Sequence, residues 1–222
     1  MAKLVAVEYI SLDGVMQAPG RADEDTRGGF THGGWASALL AADPEAAQAS
    51  MSGQSETVAL MFGHRTYVDL VGHWLNAEEP NPFAGILRQT PKFVASRSPD
   101  TQLAHPNSEL LLPAVSDAVS DDATGETEGE AEDKADDGGA VPAVRELKAS
   151  LEGEVVILGS GELVRSLAAE DLIDAYLLTI LPVALGSGAR LFADHRTPFE
   201  VTSSFTSPTG IVVATYTPVR SG

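Results

Sequence analysis

The stretch that decides the fold is TVALMFGHRTYVDL, residues 57 to 70. Its first part, Thr57 to Phe62, is a short apolar run that is typical of a buried strand. The run stops at Gly63, and two basic residues follow directly. From Thr66 to Trp74 the large apolar residues recur at helical spacing, which predicts a helix. The stretch therefore predicts a strand that passes through a basic turn into a helix.

Two further predicted strands also end in polar turns. The run KFVA (92–95) leads into Ser96 and Arg97, and EVVIL (154–158) leads into Gly159-Ser160-Gly161 and a helix. The carboxyl ends of parallel strands share one edge of a sheet, where ligands bind. Hydroxyls, cations, glycines that allow close backbone approach and a helix N-terminus together predict a site for a phosphate-rich ligand such as a dinucleotide. Each turn alone also fits a simpler reading, a tight turn or a solvated helix start, so the prediction depends on their recurrence at one edge.

The remaining pattern predicts an α/β fold with a mixed, mostly parallel sheet and an antiparallel C-terminal hairpin. A polar, glycine-rich loop from residue 17 to 34 has the length of a lid over a site. The sequence Asp43-Pro44 predicts the start of a helix. The other predicted elements are strands at 4–11, 109–112 and 173–181, a helix at 141–151, and the hairpin strands at 199–205 and 211–217.

The composition fits one domain spanning residues 1–222, since 43% of the residues are hydrophobic. No apolar run is long enough to span a membrane, and the chain has no cysteine, so we expect a cytoplasmic protein without disulfides. The net charge is −18, of which ten acids and one lysine in residues 117–137 contribute −9. This field argues against nucleic acid as a partner, and a phosphate ligand would need a local basic pocket.

Residues 116–140 are acidic and almost free of large apolar groups, which predicts a disordered insert within the domain. A solvated tether is the simpler interpretation of such a segment. The alternative is an acidic tail that binds a partner protein.

The order of several motifs resembles the dihydrofolate-reductase-like superfamily, in the branch that includes the reductase domain of bacterial riboflavin biosynthesis proteins. These motifs are SLDG (11–14), the tryptophan after HGG (32–35), FGHRTY (62–67), KFVASR (92–97), VVILGSGELVRSL (155–167) and LIDAYLLTILPVALGSGARLF (172–192). The resemblance covers nearly the whole chain except the acidic insert. It implies a three-layer fold with a central sheet of about eight strands, NADPH as the hydride donor and a homodimer.

The resemblance also implies a set of residues around NADPH. The first group opens a helix under the cofactor phosphates, the second flanks the adenosine end, the third forms the loop beneath the pyrophosphate, and the fourth surrounds the nicotinamide. In that order they are Gly63, His64, Arg65 and Thr66; Ser96 and Arg97; Gly159, Ser160, Gly161, Glu162 and Leu163; Tyr9, Ile10 and Met16. The superfamily more often has an arginine directly after the glycine, so either His64 or Arg65 could hold the 2′-phosphate.

The substrate side is less well defined by the sequence. Dihydrofolate reductases have a carboxylate on the helix after the tryptophan, but this chain has no acid between Trp35 and Asp43, which argues against dihydrofolate. Asp13 is the best remaining catalytic acid, with Ser11 as a second candidate, although Asp13 also fits a plain Asp-Gly turn. We further predict that His32 and Trp35 line the substrate pocket, and the spacing of the histidines predicts no metal site.

We therefore expect an NADPH-dependent reductase of a small heterocyclic or carbonyl substrate. The resemblance points to the riboflavin-pathway type, a 5-amino-6-(5-phosphoribosylamino)uracil reductase. That pathway's zinc deaminase signature is absent from this sequence, which weakens the assignment to the phosphorylated substrate. The alternatives are a non-catalytic nucleotide-binding module on the same fold and an interaction protein that acts through the acidic insert.

Overall fold

A computed structural model describes residues 1–52, 56–77, 81–112, 140–192 and 196–220. These residues contain eight strands: β1 (Lys3–Ser11), β2 (Thr57–Gly63), β3 (Lys92–Ala95), β4 (Ser108–Leu111), β5 (Glu154–Leu158), β6 (Ala175–Leu181), β7 (Phe199–Thr206) and β8 (Val212–Pro218). They form one sheet in the order β4-β3-β2-β5-β1-β6-β8-β7. The first six strands in this order, β4 through β6, run parallel to one another. The remaining strand pairs are antiparallel, because β8 pairs antiparallel with both β6 and β7. The predicted mixed sheet with an antiparallel C-terminal hairpin is confirmed.

Helices lie on both faces of the sheet. They are α1 (Ser37–Ala41), α2 (Pro44–Ser50), α3 (His64–Thr66), α4 (Gly72–Leu75), α5 (Pro82–Gln89), α6 (Ala140–Ser150) and α7 (Gly161–Ala169), with a π-helical turn, Tyr67–Val71, joining α3 to α4. Alternate residues of each strand point to opposite faces. Leu4 of β1 packs with Val144 and Leu167 of α6 and α7, whereas Val5 packs with Tyr67 and Leu87 on the other face. Burial of both faces of the parallel strands produces the three-layer arrangement.

The helical segment after β2 differs from the predicted continuous helix. It begins at His64, two residues before the predicted start at Thr66, and it widens into the π-helical turn. Tyr67 in this turn is buried; its hydroxyl donates to Ser108 Oγ and accepts from the amide of His105, at 3.0 Å each. A π-helical turn commonly occurs at functional sites, and this one borders the cavity described below.

Side-chain caps determine where two of the helices begin. The Asp43 carboxylate accepts a hydrogen bond of 3.0 Å from the amide of Ala46, so the predicted start of α2 is confirmed. Asn81 caps α5 in the same way through the amide of Ala84 at 2.7 Å. Helix α5 was not predicted, although Asn81-Pro82 carries the same signal as Asp43-Pro44. The predicted disordered insert, 116–140, lies outside the described residues except at Ala140, where α6 begins.

Candidate functional site

The three polar turns meet at one edge of the sheet. Because β3, β2 and β5 are neighbours and run parallel, their carboxyl ends lie side by side. A cavity of about 1110 Å³ opens there. Most of the residues predicted to hold the cofactor line it: Tyr9, Met16, Gly63, His64, Arg65, Thr66, Ser96, Arg97, Gly159, Ser160, Gly161, Glu162 and Leu163.

Ser160 joins two of the turns. Its hydroxyl accepts a hydrogen bond of 2.8 Å from the amide of Gly63, which ties the end of β5 to the end of β2. Ser160 and Gly159 both have left-handed backbone conformations, with φ of 67° and 59°. A Cβ on Gly159 would also lie 3.1 Å from Thr66 Cγ2. Glycine therefore allows this loop to lie close to the start of α3.

The N-terminus of α7 provides backbone donors for an anion. The first three amides of a helix have no partner within the helix, and the Ser160 side chain makes no capping hydrogen bond to them. Gly161, Glu162 and Leu163, which carry these amides, all line the cavity. The Glu162 carboxylate accepts from Arg27 of the lid loop at 3.2 Å, and the same guanidinium also pairs with Asp25 at 2.6 Å, so the two acids share one cation. The helix dipole and these amides favour a phosphate at this position.

The turn after β3 contributes further polar groups. The hydroxyls of Ser96 and Thr101 are hydrogen-bonded at 2.7 Å, and Ser96 Oγ also accepts from the amide of Ser98 at 3.3 Å. These bonds hold the turn in shape beside the cavity. Arg97, which lies between Ser96 and Ser98, is exposed and lines the cavity.

The glycine-rich loop predicted as a lid borders the same cavity. Gln17 organises it from within, because its side-chain nitrogen donates to the carbonyls of Asp25 and Arg27, at 3.2 and 3.0 Å. An ion pair connects Arg21 of this loop with Asp69 of the π-helical turn. Both residues line the cavity, and the sequence analysis predicted a role for neither of them. Their pairing depends on the path of the loop in space, which no local motif reveals.

Residues in and next to α1 and α2 form another part of the cavity lining, which we call the apolar end. Apart from two serines, their side chains are small or apolar: Ala36, Ser37, Leu40, Ser50 and Met51. The polar groups at this end include the Tyr9 hydroxyl and Ser50 Oγ, which lie 3.3 Å apart at hydrogen-bonding distance. This end offers space for a small apolar or planar molecule beside the polar turns.

Ser11 and Asp13, the predicted catalytic residues, do not line the cavity. Ser11 donates to Asp13 at 2.6 Å, and the Asp13 carboxylate accepts from the amides of Leu185 and Gly186 at 3.0 and 2.8 Å. The hydrogen bond from Ser11 and those two amides lower the pKa of Asp13 well below its usual range. Asp13 is thus an ionised acceptor that joins two loops, a geometry that fits the Asp-Gly turn interpretation and does not suit a proton donor.

Three other predicted residues also lie outside the lining of the cavity. Ile10 is buried in the core. His32 is exposed and makes an edge contact with Phe30 at a ring-centroid distance of 5.6 Å. Trp35 donates from its indole nitrogen to the carbonyl of Gln17 at 2.8 Å, so it anchors the base of the lid loop.

Within the described residues, no group of three or more His, Cys, Asp or Glu side chains is placed to hold a metal ion. None of the helices in the same part of the chain is long and apolar enough to cross a membrane.

Comparison with known families agrees with this geometry. Residues 2–213 match the model of the RibD C-terminal domain, and the chain belongs to this family. Its fold is that of the dihydrofolate-reductase-like superfamily, as the resemblance implied. A comparison with curated protein sequences found no match.

Solved structures show the same fold at low sequence identity. A putative riboflavin biosynthesis protein from a Shewanella species has a TM-score of 0.56 and 21% identity, over 99% of this chain and 100% of that one. A pyrimidine reductase-like protein from Corynebacterium diphtheriae has a TM-score of 0.56 and 15% identity, over 99% and 93%. Dihydrofolate reductase from Enterococcus faecalis, solved with NADP(H), has a TM-score of 0.53 and 14% identity, over 97% and 96%.

Proposed function

We propose that this protein is an NADPH-dependent reductase of a small heterocyclic or carbonyl substrate. The observation that carries the proposal is the convergence of three strand-end turns on one cavity that also has an apolar end. Its volume of about 1110 Å³ exceeds the ~300–1000 Å³ of ordinary ligand pockets, which suits a dinucleotide beside a small substrate. Membership of the RibD C-terminal domain family supports a reductase of this general type.

The donors around the cavity fit the anionic groups of NADPH. Arg65 supplies a cation and His64 an imidazole N–H for the 2′-phosphate. We assign the pyrophosphate to the N-terminal amides of α7. Ser96 and Arg97 line the part of the cavity assigned to the adenosine. When bound, the cofactor supplies the hydride.

On the substrate side, Tyr9 is the group we assign to orienting the acceptor. Ser50 Oγ donates to the carbonyl of Ala47 at 2.8 Å and lies 3.3 Å from the Tyr9 hydroxyl, so Ser50 is the acceptor of that pair. The Tyr9 hydroxyl can instead donate its hydrogen bond to a carbonyl or ring nitrogen of the substrate. Ala36 and Leu40 give the same region an apolar lining. Asp13 has no part in this proposal, because its carboxylate is held outside the cavity.

A non-catalytic nucleotide-binding module is the second candidate. It is favoured by the position of Asp13 and by the lack of an acid between Trp35 and Asp43. Titration with NADPH, followed by its fluorescence and with NADH as the control, separates the possibilities. Binding with oxidation of NADPH by a panel of aminouracils, pterins and quinones supports the reductase. Binding with no oxidation across that panel supports the module, and the failure of both cofactors to bind eliminates the reductase.

Arg65→Ala tests the role of the 2′-phosphate. We expect it to weaken NADPH binding by about 1.5–3 kcal/mol, because one charge-assisted hydrogen bond is lost. NADH lacks the 2′-phosphate, so its affinity should change far less. Arg145→Ala is the matched control, since it removes the same charge from an exposed pair with Glu170 on the surface. An equal loss for both cofactors contradicts the assignment of Arg65.

The riboflavin-pathway substrate, the homodimer and the cytoplasmic location remain predictions. The oligomeric state can be measured directly by light scattering. The substrate class requires the acceptor panel above, with the phosphorylated aminouracil included.

A further inference from the structure

The charges next to Arg65 suggest a role for the lid loop in cofactor binding. Arg65 is followed four residues later by Asp69, and residues at this spacing in a helix are neighbours. Both side chains line the main cavity and an adjoining crevice, together with His64 and Arg21. An acid one helical turn from Arg65 can compete with a phosphate for its guanidinium.

The structure shows that Asp69 is instead paired with Arg21 of the lid loop. The ion pair joins Asp69 Oδ1 to an Arg21 guanidinium nitrogen, and about a quarter of each side chain is exposed, 27% and 28%. Arg65 makes no hydrogen bond or ion pair within the part of the chain that the structure describes. Arg65, the cation assigned to the 2′-phosphate, is thus left available. The charge of Asp69 is neutralised by Arg21, which belongs to the lid loop and not to the helix.

The lid loop is built to hold Arg21 in this position. The Glu24 carboxylate accepts hydrogen bonds from the amides of Gly20 and Arg21 at 2.7 and 2.9 Å. These bonds fix the backbone from which the arginine side chain extends. A second acid, Asp23, lies 3.4 Å from Arg21 Nε, but its side chain is 86% exposed and screened by water.

We infer that Arg21 is a positioning residue for NADPH selectivity: it neutralises Asp69 and so keeps Arg65 free for the 2′-phosphate. This inference rests on the proposed function, because it assumes that the 2′-phosphate lies beside Arg65. It assigns Arg21 no contact with the cofactor. Without Arg21, Asp69 would pair with Arg65 and also repel the phosphate dianion.

A double-mutant cycle tests this inference, with the affinities of NADPH and NADH measured by fluorescence titration of the full-length protein. Arg21→Gln should weaken NADPH roughly tenfold and change NADH by less than about threefold, since only NADPH carries the 2′-phosphate. Asp69→Asn alone should bind NADPH at least as tightly as the unaltered protein. In the double variant, Asp69→Asn should restore the affinity lost through Arg21→Gln, because the competing acid has gone.

The rescue separates a positioning role from the other possibilities. If the double variant binds NADPH as weakly as Arg21→Gln, Arg21 either contacts the cofactor or only supports the loop, and the inference is overturned. Equal weakening of NADPH and NADH by Arg21→Gln overturns it as well. Arg27→Gln is the matched control in the same loop, because it loosens the pair with Glu162 and should affect both cofactors to the same extent.

Two further measurements keep the test decisive. Thermal unfolding of each variant checks that it folds, and Asp69→Ser replaces Asp69→Asn if the amide perturbs the turn. If the unaltered protein binds neither cofactor, the proposed function fails and this inference fails with it. If the unaltered protein selects NADPH but the cycle shows no rescue, the inference alone fails.

Discussion

Glu8 carries an unusual carboxyl group for its position in the fold. It lies in the middle of β1, is only 4% exposed, and its Oε1 has no hydrogen-bond partner within the described residues. Its neighbours Val7 and Tyr9 line the cavity, so the alternation of the strand directs Glu8 to the opposite face, among the core residues under α6 and α7. Burial raises the pKa of Glu8 well above its usual value, and the nearby positive charge of Arg165 offsets only part of this effect.

Glu8→Gln should therefore stabilise the protein at neutral pH. The folded protein holds the Glu8 proton to a higher pH than the unfolded chain, whose glutamate has a pKa near 4.5. Raising the pH above that value releases the proton first from the unfolded chain, which favours unfolding. We expect the variant to exceed the unaltered protein in free energy of unfolding by about 1 kcal/mol or more near pH 8, with little difference near pH 4. Urea unfolding at both pH values measures this, and parallel pH profiles of the two proteins would contradict it.

At the level of helices and strands, the sequence predicted most of the fold. Three strands, β2, β3 and β5, are short apolar runs that are followed in the sequence by Gly or Ser. Each was predicted to within one residue of its observed bounds. Their parallel arrangement placed the predicted turns together, because the carboxyl ends of parallel strands share an edge. The π-helical turn was not predictable from periodicity, since inserting one extra residue into a helical turn leaves no clear mark in the pattern. The Arg21–Asp69 pair was not predictable either, because its partners are 48 residues apart in the chain.

The start of α7 provides a test of how closely the elements around the cavity fit together. A Cβ on Gly161 would lie 2.3 Å from Met16 Sδ, so Gly161→Ala forces the methionine side chain to move. Both residues line the cavity. We expect a loss of about 1 kcal/mol in the free energy of unfolding, since the methionine is flexible, together with weaker NADPH binding. Differential scanning calorimetry and cofactor titration check both effects, and unchanged affinity would show that Met16 does not shape the cofactor site.

Gly85 in α5 is the matched control for that substitution. A Cβ there meets no heavy atom within 4 Å, and Gly85 does not have a positive φ. Gly85→Ala should therefore stabilise the protein by about 0.5–1 kcal/mol, because alanine has the higher helix propensity. Cofactor affinity should stay the same, since Gly85 does not line the cavity. A loss of stability at this position would contradict the helical geometry of α5.

At the scale of the whole molecule, an acidic protein is proposed to bind an acidic cofactor. The net charge is −18, and the segment 117–137 contributes half of it. In the proposed site, Arg65 and the amides of α7 provide local positive potential. Arg21 of the lid loop pairs with Asp69, and Arg27 pairs with both Asp25 and Glu162. Local groups decide affinity because salt screens distant charges, with a Debye length of about 8 Å at physiological ionic strength. The net charge predicted that a phosphate ligand would need a local basic pocket, but it could not predict which residues would form that pocket.

Neutralising the acidic segment tests whether its charge influences cofactor binding. We consider a variant in which the ten acids of residues 117–137 become Asn or Gln and Lys134 becomes Gln, so the net charge falls from −18 to −9. This design keeps the chain length and leaves Ala140, the buried first residue of α6, in place. If the segment is the solvated tether that the sequence predicts, the affinity for NADPH should stay within about twofold at ~0.15 M salt, because salt screens its charges. At ~0.01 M salt, where the Debye length is about 30 Å, the variant should bind NADPH faster, since less negative charge opposes the approach of the ligand. Stopped-flow fluorescence at both salt concentrations measures these rates. A large loss of affinity at physiological salt would show that the acidic segment itself takes part in the site.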